Sequence, residues 1–364
     1  MSPDLTWVLV EDGARRHDAA MDAVLRRLAS LPEAFTTQDA CEVGLSRHVL
    51  ARLLRTEQVT KLQRGLYRRC TPNANEQLRW ELIKHDHRVR AAAALRAHPG
   101  HALSHVTNAV ARGWPVNLHP ESLVHLTAIT VQPRSRRVAD RFLHHSDSVI
   151  NDLELIGGMP ALTASRTVAD CLRTMKLPAG VAVADAALRL DATRREVEEV
   201  LTSQHRWVGR PRAVTALALV DPRRESWLES FSFVRLWERG IELPTPQVEV
   251  YDEFDRFVAR VDGMWIADGT VAEADGTGKY LIPTSGSTEP TARSAAERVI
   301  SERHRERAVL DLGLEVARWD NHEIQHQLDD VVRRVQRTRL TGSIRRFRGH
   351  LRVEGRVIDL TEHR

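Results

Sequence analysis

Cysteine is scarce in this 364-residue chain: Cys41, Cys70 and Cys171, odd in number and scattered, with no CxxC pair. That pattern excludes a disulfide framework and argues against a structural zinc held by thiolates. Long apolar runs are missing too, and none approaches the roughly 18–20 residues that a membrane span needs. The opening stretch, MSPDLTWVLVEDGARRHD, has neither the basic start nor the small-residue cleavage site of a signal peptide, so the cytoplasm is the expected compartment and a membrane is not an expected partner. Lysine is sparse beside arginine. What remains is ordinary for a soluble globular protein: 42 % hydrophobic and 28 % charged residues, a net charge of +4 and an isoelectric point near 9.2. The length leaves room for two or three domains. A mildly basic total says little about nucleic acid; where the charge clusters says more.

The clustering begins near the N-terminus. Met21, Val24, Leu25 and Leu28 have helical spacing. Thr36 or Thr37 can cap a short helix that Gly44 ends, and Ser46 caps a second one with Val49, Leu50, Leu53 and Leu54 as its apolar face. Two strand-like stretches, 59–62 and 66–68, follow across Gln63-Arg64-Gly65. Helix, glycine turn, helix and small hairpin is the order of a winged helix-turn-helix. Arg47, His48, Arg52 and Arg55 lie on or near the polar side of the second helix, with Lys61, Arg64, Arg68 and Arg69 on the wing. Such a helix can enter a major groove about 12 Å wide while the wing holds phosphates. The competing reading is a solvated basic helix beside a structural hairpin. On FTTQDACEVGLSRHVLARLLRTEQ and LQRGLYR, residues 35–69 resemble the winged helix of the AbiEi-type antitoxin and regulator family, and the likeness continues loosely through 102–116 and 158–173. The resemblance implies binding to double-stranded DNA, often at the protein's own promoter, and a cognate toxin protein as a possible partner.

Residues 76–200 predict a compact α/β or α+β unit: a helix ending at Pro99-Gly100, strands at 124–130 and 141–144, and helices at 163–175 and 181–190. Ser104, His105, His144 and His145 invite a catalytic reading, but sequence neighbours point apart in most backbones and the histidines lack ligand spacing, so capping and interior hydrogen bonds are expected instead.

Phe257 to Tyr280 reads as a β-hairpin turning at Asp268-Gly269. With that turn, residues whose numbers sum to 537 face each other: Met264 with Glu273 and Asp262 with Asp275. Asp262, Glu273 and Asp275 then share one face at one end. Like charges opposed across strands are destabilising without a counter-charge, and a divalent cation supplies one. On ESWLES, ARVDGMW, VAEADGTGKY and SERHRERAVLDLGLEVARW, residues 225–319 resemble the restriction-endonuclease-like fold in its branch related to very-short-patch-repair endonucleases. The resemblance implies Mg²⁺ held by Asp262 and Glu273, with Asp275 as a third ligand or orienting acid and Glu229 (or Glu225) as the helix carboxylate. The chain departs from the usual (D/E)-x-K: Asp275 stands where lysine would, leaving Lys279, His304 or Arg305 to supply the cation.

The expected organisation is a multi-domain α/β protein: a winged helix at 1–72, a middle domain at 76–200, an endonuclease-like domain at 221–335 and a basic extension at 336–364. Two main functions fit. One is a DNA-binding protein that hydrolyses phosphodiester bonds with Mg²⁺; the other is a non-catalytic, antitoxin-like transcriptional regulator of its own operon. A protein-interaction scaffold is a third.

Overall fold

The structure, a computed structural model, describes residues 21–70, 79–131, 134–145, 149–276 and 303–360. The chain is a mixed helix-and-sheet protein with three sheets, divided into two units: Met1–Gly113 with Asn117–Thr163, and Trp114–Val116 with Ala164–Arg364.

The first unit begins with α1 (21–29), β1 (Ala34–Thr36), α2 (Thr37–Glu42) and α3 (Arg47–Arg55), followed by the hairpin β2 (Val59–Gln63) and β3 (Leu66–Arg69). The caps act as the sequence predicts. Thr36 and Asp39 form a reciprocal capping box on α2, and Ser46 Oγ accepts the Val49 N–H of α3 at 3.3 Å. Leu28, Phe35, Leu45, Leu50, Leu53 and Val59 bury one apolar cluster beneath these elements. The sequence reading omits β1, which adds to β3 and makes a three-stranded sheet.

The same unit continues with α4 (Arg79–Ala97), β4 (His101–Leu103), α5 (His105–Ala111), β5 (Val124–Ala128), β6 (Arg136–Val138), β7 (Arg141–His144), β8 (Leu153–Ile156) and β9 (Met159–Leu162). Its sheet runs β6-β7-β5-β4-β9-β8, with β5/β7 and β4/β9 parallel.

The second unit opens with α6 (Ala164–Thr174), α7 (Leu177–Leu190), α8 (Arg194–Ser203) and α9 (Arg210–Ala218). These helices group with the C-terminal part of the chain, so the division falls after Thr163 and not in the 200–221 interval that the sequence suggests. The cause lies in α7. It packs on α10 (Trp227–Trp237), and its Asp185, 0 % exposed, takes the Arg224 guanidinium at 3.1 Å just before that helix.

The large sheet of this unit is built from β10 (Thr245–Tyr251), β11 (Phe257–Trp265), β12 (Thr270–Asp275) and, after α11 (303–311), β13 (Glu315–Asp320). Then come α12 (Asn321–His326), α13 (Leu328–Thr341), β14 (His350–Val353) and β15 (Arg356–Val357). The strand order is β13-β12-β11-β10-β14-β15. The three strands β10, β11 and β12 form an antiparallel meander, and β13 joins β12 in parallel. Phe233, Trp265, Trp319 and Val331 share one apolar cluster with α10, α12 and α13; Val250, Val261, Val271 and Val309 share another with α11.

Two expectations change here. The hairpin does not turn on two residues. Ile266–Asp268 forms a 3-10 turn and Gly269 follows it with φ +61°, so the pairs are Met264 with Val271 and Gly263 with Ala272. A side chain at Gly269 would lie 2.8 Å from the Ile344 backbone nitrogen, so a distant segment dictates this turn. Second, within the expected basic extension the described residues, 336–360, are not a separate tail. α13 runs through Thr341, β14 pairs antiparallel with β10, and Ile344, Phe347 and Leu351 are buried. Arg352 pairs with Asp255 at 2.6 Å.

Replacing Arg224 with Met strands the Asp185 carboxylate in the interior. Removing one partner of a buried pair costs about 3–5 kcal/mol, so R224M is expected to lower this unit's unfolding free energy by that amount, read as a fall in its urea midpoint. An unchanged midpoint would show that the pair does not hold α7 to α10.

Candidate active site

Where the meander meets α10 the backbone stops alternating. Val261 and Met264 belong to the same apolar cluster although they stand three positions apart, so the alternation of faces slips once at Asp262-Gly263. Gly263 accommodates the slip: a Cβ there would sit 2.8 Å from the Phe233 ring. Just past the last paired residues, Gly263 and Ala272, the Asp262 Oδ2 accepts the Ala274 N–H at 2.9 Å. A side chain thus takes over a backbone bond of the ladder.

The α10 N-terminus approaches the same place. Ser226 Oγ accepts the Glu229 N–H at 3.1 Å, which fixes the first turn. The Glu229 carboxylate is 3 % exposed and accepts the Glu225 N–H at 3.0 Å and Gln247 Nε2 at 2.9 Å. Burial, and then the charge of Asp262, pushes the Glu229 acid above its ordinary value of 4.5. Glu225 forms a bidentate pair with Arg260, both bonds at 2.8 Å. Glu225, Ser226, Glu229, Gln247, Phe257, Ala259, Arg260, Asp262 and Arg305 line a cleft of about 460 Å³.

The acids named from the sequence take different places. Asp262 and Glu229 share the cleft. Glu273, 6 % exposed, lines a smaller adjoining pocket with Val261, Val271, Val309 and Arg318. Asp275 pairs with Arg318 at 3.3 Å, and Arg318 also reaches Glu306 at 3.6 Å. Asp262, Glu273 and Asp275 therefore do not converge as the expected trio: among the described residues they do not bring ligand atoms within 4.8 Å of one another. The slip at 262–263 explains why, since it breaks the alternation on which the one-face argument rests. Of the cations considered, Arg305 on α11 lines both pockets; Lys279 lies outside the described residues, as do Tyr280 and the Ser/Thr/Gly/Pro stretch 281–294. The sequence reading missed Gln247 and Arg260. Their signal was position on β10 and β11, where alternate residues face α10.

The basic residues of the first unit also separate. Arg47 and His48 at the start of α3, with Arg55, Lys61 and Arg64, are exposed. Arg52 is half-buried, and Arg68 is drawn into an ion pair with Asp86 of α4. Arg69 donates to the Ala29 carbonyl at 3.1 Å, closing the hairpin on α1. Arg68 and Arg69 thus serve the packing of the hairpin.

The Glu229 shift carries a sign. An acid that titrates higher in the folded state holds its proton there after the unfolded chain has released it, so this group's contribution to stability falls as pH rises above about 4.5 through the folded value. D262N removes the repelling charge. Carboxyl carbon NMR is expected to show Glu229 titrating lower in D262N than in the wild type; an unmoved titration would mean that the two carboxylates are not coupled.

Among the described residues no helix is long and apolar enough to cross a membrane. No protein-family model matches the chain, and no curated protein matches it.

Proposed function

We propose that the chain is a DNA-binding protein with a winged helix at its N-terminus and a restriction-endonuclease-like second unit that cleaves phosphodiester bonds with Mg²⁺. The observation that carries this reading is the pairing of buried Glu229 with Asp262 in an open cleft, beside Glu273, where an antiparallel meander meets a parallel strand. A fold has no need to bring two mutually repelling acids together.

The donors are of the kind a hard cation takes, although among the described residues the oxygens of all three do not lie within 4.8 Å of one another. Asp262, Glu273 and Glu229 offer carboxylate oxygens of the type that Mg²⁺ takes alongside retained waters. When bound, such an ion supplies a more acidic water and offsets charge developing on the phosphate. The chain's own residues do the rest. Ala274 N–H orients Asp262, Gln247 and the Glu225 N–H orient Glu229, and Arg305, which lines the same cleft, would offer its guanidinium to a phosphate oxygen. Arg318 binds Asp275, which makes Asp275 an orienting acid in place of a third ligand.

The experiment is incubation of supercoiled plasmid with Mg²⁺ or Mn²⁺. Wild type is expected to nick it, D262A and E273A to leave it intact, and R305A to cut more slowly while still binding. Equal background in all four supports the second reading, a non-cutting regulator in which Arg47, His48, Lys61 and Arg64 alone address DNA. That reading draws on the exposed basic surface of α3 and the hairpin.

The DNA face has its own test. Each lost phosphate contact lowers the salt dependence of binding by about one unit of slope. R47A and R64A are expected to do so in mobility-shift titrations on the upstream DNA. R68A, which loses its pair with Asp86, is expected to act on thermal stability first. An unchanged slope in both R47A and R64A would remove this surface as the DNA face.

A further inference from the structure

We propose that His105, His125 and His144 form a binding site for one late first-row divalent transition metal ion of the zinc class. The site is separate in residues and in chemistry from the carboxylate cleft. One ligand nitrogen from each ring lies within 4.8 Å of the other two, the sole such set among the described residues. The rings are close: centroids are 3.7 Å apart for His105–His144, 5.1 Å for His125–His144 and 5.4 Å for His105–His125.

The placement follows from the fold. β5 and β7 are parallel neighbours in which His125 pairs with Phe142 and Thr127 with His144, so all four side chains share one sheet face, and the His105 ring stacks on that of His144 and lies tilted beside that of His125. His105 opens α5 with φ +51°, a left-handed conformation that residues bearing a Cβ seldom adopt, and Ser104 Oγ lies 3.0 Å from its Nδ1. A strained backbone that brings a third imidazole to two strand histidines serves a site better than it serves the core.

The surroundings fix the strand that carries His125. The Thr107 hydroxyl accepts the His125 backbone N–H at 2.8 Å and meets His87 Nε2 at 2.8 Å, while Arg90 donates to His87 Nδ1 at 3.3 Å. Thr127 Oγ1 is buried on the same face and has no hydrogen-bond partner among the described residues; a metal-bound water would provide one. His105 is buried, while His125 and His144 are half-buried, so the fourth position faces an approachable side. Three protein ligands with one open position is the arrangement of an exchangeable or catalytic zinc site, not a closed structural one.

The donor set selects the ion. Neutral imidazole nitrogens suit zinc, cobalt, nickel and copper, and suit magnesium poorly. His125 Nδ1 and His144 Nε2 lie 2.8 Å apart and share a proton; binding moves that proton to the donor ring's other nitrogen and puts the metal in its place.

Untagged full-length protein, stripped with a chelator, would be titrated with Co²⁺ and then Zn²⁺. One equivalent of Co²⁺ is expected to give visible d–d absorption, and one equivalent of Zn²⁺ is expected to bleach it and raise the melting temperature. H125Q and H144Q are expected to lose both responses, while D262A keeps them. In the wild type, Zn²⁺ is expected to shift the imidazole nitrogen resonances of these three histidines, a readout that needs no variant to fold. Substoichiometric binding by the wild type, or unmoved imidazole resonances, would overturn the proposal. So would unchanged affinity in both glutamine variants, leaving three stacked rings that only pass a proton.

Discussion

Two acids that repel each other share one half-buried cleft, and backbone amides hold them there. Glu229 is fixed by the first turn of α10 and by Gln247; Asp262 is fixed by the Ala274 N–H. These hydrogen bonds do not neutralise the charge, so burial first and the repulsion second raise the Glu229 proton affinity. The surrounding fold maintains the arrangement. Phe233 closes on Gly263, Trp319 packs beneath Phe233, and the slip in β11 aims Asp262 toward the helix.

Much of the local structure was legible because it is written in neighbouring residues. Ser46 ahead of an apolar helix face gives α3, and Gly44 with φ +78° ends the turn before it. The strand at 141–144 was read to the residue. The failures share one cause, dependence on residues far along the chain. Gly269 turns as it does because residues 343–344 press against it. The arginine-rich C-terminal stretch looked like a tail because β14 is four residues long and Leu351 and Val353 alternate for too short a span to stand out. The histidine trio escaped notice because adjacency in sequence was weighed and adjacency between parallel strands could not be. A faint signal existed: His125 and His144 each fall within a predicted strand.

Arginine explains why net charge was a weak guide. Arg68 meets Asp86, Arg260 meets Glu225, Arg339 meets Asp268 and Arg352 meets Asp255. Much of the basic excess is spoken for inside the protein, and exposed pairs of this kind contribute little stability individually. The isoelectric point therefore does not say which cations face solvent; among the described residues Arg47 and Arg64 do.

The position of β14 affects how the chain is made. β10 lies between β11 and β14, yet β14 emerges from the ribosome only after α11, α12 and α13 have been synthesised. Until then one border of β10 offers unpaired amides and carbonyls to any passing strand. During translation the second unit therefore spends its vulnerable interval with an open flank, and nascent-chain protection would have to guard that flank until the closing strand arrives.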